Sequence, residues 1–303
     1  MLATLASAAA EGQDVFPLLT GVSRLLGYLG FVLVVGTTFF LSWLWPGRSV
    51  EWVFIRLFRS GAVLVLVATA LVAFFGADAS LEDAFAGPDG AAAFARMALV
   101  ALGVAFSWEM LGDARRWRIP IVVWQLLLIE TYVLESDAWR EPWQLVKVVA
   151  TTGHLAATAA WLGGLLALAA ILVPSAHLEV LHDVLPRFSV VAIVSVVTLV
   201  VTGALHALAI AGSLNALLTS TYGAVLMAKI IVFAVMLLLG NVGRRYAGRL
   251  AHRKVTEIDE SASDQSIRAF AVAVGAEFAL ATAVLATTAA LVHVAPAGLI
   301  AAT

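Results

Sequence analysis

Cysteine is absent from this chain of 303 residues. That removes disulfides, thiolate metal ligands, Cys-ligated iron–sulfur clusters and covalent c-type haem in one step. Charge is scarce as well: 13% of the residues are Asp, Glu, Lys or Arg, the net charge is −2, and no basic patch suited to nucleic acid occurs. Neither a glycine-rich phosphate loop nor a phosphorylatable aspartate motif is present, and no polar stretch is long enough to fold into an ATPase domain. A metal is left with His, Met, Glu, Asp or backbone oxygen.

Apolar residues dominate instead. With 62% hydrophobic content and a mean hydropathy of +0.99, the chain has too little polar surface for a soluble globule of its size. A spanning helix needs about 20 mostly apolar residues, and about eight such segments occur, near 17–45, 57–77, 92–111, 119–135, 144–173, 188–211, 222–241 and 268–294. The expected fold is all-α, a polytopic membrane helical bundle of about eight transmembrane helices set in the lipid bilayer. Residues 1–16 read as a short extracytoplasmic tail and not as a cleaved signal, because no Lys or Arg precedes the brief apolar run.

Loop charge sets the expected orientation. Arg48, Arg56 and Arg59, then Arg115, Arg116 and Arg118, then Arg244, Arg245, Arg249, Arg253 and Lys254 mark cytoplasmic loops by the positive-inside rule. Asp78, Glu82, Asp83 and Asp89, then Glu135, Asp137 and Glu141, mark the opposite side, which places both termini outside. The segment with His177, Glu179, His182, Asp183 and Arg187 is assigned to an inner loop by parity. The chain also resembles itself at a spacing of about 130 residues: Gly36 and Pro46 map onto Gly164 and Pro174, and Gly90-x5-Arg96 maps onto Gly223-x5-Lys229. Four crossings separate the copies. Two four-helix halves of like orientation are therefore expected, 17–143 and 144–303.

The most informative segment runs from Lys147 to Gly164. Lys147, Thr151, His154, Thr158 and Trp161 follow at spacings of 4, 3, 4 and 3, so they share one face of a helix whose other positions are Val, Ala, Leu and Gly. An imidazole at that depth must find a partner or line a polar cavity, and a functional site is the default reading. The pair Gly163-Gly164 reads as a close helix contact of the small-residue type. Other intramembrane polar groups crowd toward the outer side: Arg24, Arg96, Lys147, Lys229, Glu130, His206 and His293, with Glu277 nearer the middle of the last segment. Snorkelling to headgroups accounts equally well for each of the cations. His206 could cap a neighbouring carbonyl, and His293 precedes a proline at a membrane exit. Met97 and Met227 lie on the outer halves of their segments, where core filling competes with thioether ligation. Two or three His with an optional Met, and no thiolate, fit copper best; two His near one leaflet would equally serve as axial ligands of haem b.

These residues resemble the copper resistance protein D family. The resemblance rests on His154-x6-Trp161-x-Gly163-Gly164, on Arg187-Phe188-Ser189-x2-Ala192 leading to Thr202-Gly203, on Thr221-Tyr222-Gly223-x5-Lys229, and on Glu277 followed by Pro296. It covers about half the chain, and the first four spans are similar to the amino-terminal half of longer members. It implies a bacterial plasma (inner) membrane protein that moves copper inward, working with a periplasmic CopC-like copper-binding protein that is expected as a separate partner. Self-association into a homo-oligomer stays open. The resemblance carries over to His154, Trp161, Tyr222, Lys229 and Glu277, while His206, His293 and Met227 join the metal set on depth alone. Trp161, Glu277, Glu130, Lys147, Tyr222, Lys229 and Arg96 are expected along the pathway or behind the ligands. Two fixed ammonium groups, Lys147 and Lys229, oppose a cation and suit an anion, a haem propionate or a quinone oxygen. The alternative is thus a membrane redox enzyme that holds haem b or acts on a porphyrin or quinone. A second alternative is a copper-delivery or assembly subunit without transport.

Overall fold

The computed structural model describes residues 16–46, 52–76, 87–136, 138, 143–175, 178–211, 223–224 and 226–238. These residues form helices α1 (Phe16–Trp43), α2 (Trp52–Gly76), α3 (Gly87–Ala105), α4 (Ser107–Gly112), α5 (Arg118–Leu134), α6 (Gln144–Ser175) and α7 (Leu178–Ala211). A shorter apolar helix, α8, covers Leu226–Leu238. Strands are absent among the described residues. Five helices, α1, α2, α3, α6 and α7, are long and apolar enough to cross a membrane, and the chain is a polytopic helical membrane protein. The segment expected at 268–294, with Glu277 and His293, lies outside the described residues, as does Tyr222.

Two boundaries differ from the sequence expectation. The segment 92–111 is not one helix: α3 ends at Ala105, Phe106 is a turn, and α4 follows for 6 residues. The stretch from Leu178 to Arg187, expected as a loop, is the start of α7, with Pro186 inside the helix. At 34 residues α7 is about 51 Å long, far more than the hydrocarbon core of about 30 Å. Its charged first turns therefore extend beyond the apolar layer, and charge there is no obstacle to helix.

Helix α1 is the centre of the bundle. Its Phe31, Val32, Val34, Val35, Phe40 and Leu41 are buried, and small residues bring its neighbours close. Gly30 faces Gly61 of α2, and Gly27 faces Ala68. On another face Gly36 lies against Gly163 of α6, while the adjacent Gly164 accommodates the ring of Phe188 from α7. Without a hydrophobic drive between helices in lipid, such backbone proximity and its dispersion contacts supply much of the association. Helix α5 runs antiparallel to α1, because Gln125 Nε2 donates to Val35 O at 3.1 Å and to Thr38 Oγ1 at 2.8 Å, whereas Arg118 Nε donates to Ser42 O at 2.7 Å. The short connection from α5 reverses the chain again, so α6 runs parallel to α1. That is the relation expected of helices separated by four crossings.

The two ends of the bundle are chemically distinct. At one end Arg118 and Arg115 donate to Ser42 O and Trp45 O, the carbonyls left unpaired where α1 stops. Trp43 lies under the Arg118 guanidinium at 4.9 Å, and Arg59 lies over Trp108 at 5.7 Å. Aromatic rings and basic groups together are typical of a membrane interface. At the opposite end, Arg96 of α3 is 3% exposed. It pairs with Glu135 at 2.9 Å, donates to Thr131 Oγ1 at 3.1 Å and Thr131 O at 2.8 Å, and stacks on Tyr132 at 3.7 Å. This cation does not snorkel; it ties α3 to α5. Arg96→Met is expected to cost about 1.5–3 kcal/mol, the range for hydrogen bonds to a charged group. The check is thermal unfolding in detergent, where an unchanged midpoint would deny the cluster a structural role.

Candidate metal site between α6, α7 and α8

Helices α6 and α7 form an antiparallel pair, and the polar stripe of α6 faces α7. His154 Nδ1 is 2.8 Å from Thr202 Oγ1 of α7. One turn along, Thr151 Oγ1 of α6 is 3.4 Å from His206 Nε2 of α7. Each helix thus contributes one His and one Thr. The two imidazole planes are nearly perpendicular, at 82°, with centroids 6.0 Å apart. Gly203 lies beside the pair, where an added Cβ would come to 4.0 Å from His154 Cε1, an ordinary contact distance.

Each ring borders its own chamber. His206 lines a cavity of about 270 Å³ with Trp143, Lys147, Ala150 and Leu205, toward the start of α6. His154 lines a larger one of about 580 Å³ deeper in the bundle, together with Tyr28, Thr158, Trp161, Lys229 and Met236. Its remaining walls are Phe, Leu, Val, Ile, Ala and Gly. Trp161 forms part of that wall by packing against Phe233 of α8, edge to face at 5.7 Å. The histidine pair is therefore the junction between a shallow chamber and a deep one.

Other candidate residues separate from this junction. Met227 is 48% exposed and does not line the deep cavity, whereas Met236 is 2% exposed and does. Helical periodicity explains the difference, since Lys229, Ile230, Phe233 and Met236 share a face and Met227 is turned from it. Glu130 accepts from Thr152 Oγ1 at 2.7 Å, so it holds α5 to α6 away from His154. Arg96 belongs to the α3–α5 cluster already described. The structure adds Thr202 to the site. Its sequence signals are its place in the Thr202-Gly203 pair of the family resemblance and a spacing of four residues from His206, neither of which points to contact with His154.

Among the described residues no group of three or more His, Cys, Asp and Glu side chains converges on a point. Two imidazoles nevertheless satisfy a simple distance test. A metal about 2.0–2.1 Å from one nitrogen of each ring puts the centroids roughly 5–6.5 Å apart as the angle at the metal opens from tetrahedral to linear. The observed 6.0 Å falls within that interval. Neutral imidazole suits copper, zinc, iron and nickel.

Residues 182–291 match a protein-family model described as Copper resistance protein D. No curated protein and no solved structure matches the chain. The matched stretch contains His206, Thr202 and Lys229 and begins after His154, so it is narrower than the resemblance drawn from the sequence. Over residues 182–291, about a third of its length, the chain is similar to the copper resistance protein D family.

Proposed function

We propose that the protein is a bacterial inner-membrane copper permease in which His206 receives copper from the periplasmic side and His154 passes it inward. The observation that carries this reading is the facing imidazole pair at the junction of two chambers, 6.0 Å between centroids. The Lys147 end of the bundle is taken as periplasmic, because Arg59, Arg115 and Arg118 gather at the other end. Copper is the cargo, delivered by a separate CopC-like protein. As an ammonium, Lys229 would repel a cation at His154, and a singly charged copper meets half the repulsion of a doubly charged one. Copper(I) is thus the preferred form, and two imidazole nitrogens are a donor set it accepts.

Purified protein is expected to retain copper on elemental analysis and to be colourless. Sealed vesicles containing it are expected to load copper, which separates a permease from an assembly subunit that only binds. A second reading draws on the size and apolar walls of the deep cavity, about 580 Å³, with Lys229 beside His154. A haem, porphyrin or quinone would fill that space better than an ion does, with Lys229 pairing a propionate or donating to a quinone oxygen. A Soret band with stoichiometric iron would establish this reading and overturn the permease.

A further inference from the structure

We infer that Thr202 and Thr151 are positioning residues that lock the two histidines in opposite tautomers, so that His154 offers Nε2 and His206 offers Nδ1 to the metal. The inference rests on the copper-site reading above. Its basis is the number of hydrogens a hydroxyl has. Thr202 Oγ1 lies 2.7 Å from Thr198 O and 2.8 Å from His154 Nδ1. A carbonyl never donates, so the shorter, 2.7 Å contact is a hydrogen bond only when the single hydroxyl hydrogen lies on it. What the hydroxyl has left for His154 is a lone pair. Nδ1 must then carry the ring proton, and Nε2 keeps the lone pair that binds metal.

The same logic repeats in reverse on the other side of the interface. Thr151 Oγ1 donates to Lys147 O at 2.8 Å and therefore accepts from His206 Nε2 at 3.4 Å. His206 keeps its lone pair on Nδ1. Both anchors are threonines whose hydroxyls are themselves held by the backbone one turn earlier, a geometry set by helix and not by a flexible chain. Because each His is anchored to the opposite helix, the ring pair moves only if α6 and α7 move.

Three substitutions and one spectrum test this. Thr202→Val keeps the shape and removes the hydroxyl, and it is expected to weaken copper(I) binding about 10–100-fold, the usual effect of losing an outer partner of a ligating histidine. Thr202→Ser keeps the hydroxyl and is expected to restore affinity, measured by competition with a chromogenic copper(I) chelator. Nitrogen NMR of the metal-free, 15N-His-labelled protein, assigned with His154→Ala, is expected to show a protonated Nδ1 and an unprotonated Nε2 at His154. The opposite tautomer in that spectrum would overturn the inference even if Thr202→Val failed to fold. Unchanged copper affinity in Thr202→Val, alongside a loss in His154→Ala, would also overturn it and leave the copper site standing. Unchanged affinity in His154→Ala would instead remove the copper-site reading itself.

Discussion

His154→Ala is expected to abolish copper accumulation in vesicles while the protein is still made and inserted at a near-normal level. The ring is a direct donor in the proposed site, so copper(I) affinity should fall at least about 100-fold, the upper end of what losing a mere supporting partner costs. The structural penalty is small by comparison. His154 makes one side-chain hydrogen bond among those described, to Thr202, whose hydroxyl still donates to Thr198 O when the ring is gone. No buried donor is left unpaired, which is the outcome that makes polar truncations costly. The alanine enlarges a cavity already present beside it. Copper uptake equal to wild type, in protein of normal abundance, would remove His154 from the path.

The largest effect on stability is expected at Gly163. A Cβ there would press on Gly36 Cα and lie 2.8 Å from Val32 O, and one at Gly36 would lie 2.7 Å from Ala159 O. These neighbours are backbone atoms of helices, which cannot rotate aside as a side chain can. Gly163→Ala must push α1 and α6 apart, loosening the packing of Val32, Val35 and Leu162 around the contact. The cost should reach or exceed the top of the roughly 1–3 kcal/mol typical of overpacked cores. Gly153→Ala is the internal comparison, because a Cβ at that position meets only the methyl groups of Thr198 and Thr202 at 3.7 Å. Thermal unfolding in detergent should show a clear loss for Gly163→Ala and little change for Gly153→Ala. Equal midpoints would mean that the α1–α6 contact contributes little.

Much of the helical plan could be read from composition and period. Apolar runs of spanning length are nearly sufficient to locate α1, α2, α6 and α7, since lipid leaves the backbone few alternatives to helix. The stripe from Lys147 to Trp161 was legible for a related reason: five polar or aromatic residues on one face of an apolar helix must face protein. Other features carried no such signal. The break at Phe106 has neither Gly nor Pro at the turn, and it appears where α3 gives way to the short helix carrying Trp108, which packs on Trp52. The start of α7 was hidden because charge and Pro186 look like a loop when helix length beyond the membrane is ignored. Arg96 reads like Lys147 or Lys229 in sequence. What separates it is Glu135, the residue that follows the last turn of α5, a pairing that only three-dimensional packing decides. That Met236, and not Met227, lines the deep cavity depends on which face of α8 turns inward, and the depth of a residue in its segment does not reveal that.

The Gly36–Gly163 contact limits how α1 and α6 can move against each other. The two backbones touch at this point, with no side chain between them to give way when one helix slides along the other. Tilting is not blocked, because a point contact acts as a fulcrum. A tilt of α6 about that fulcrum moves Gly163 least and the helix ends most. His154 lies nine residues away, about 13 Å along the axis, and Lys147 lies farther out. The lever arm therefore widens the shallow chamber more than the deep one, and the two would open by different amounts in a single swing.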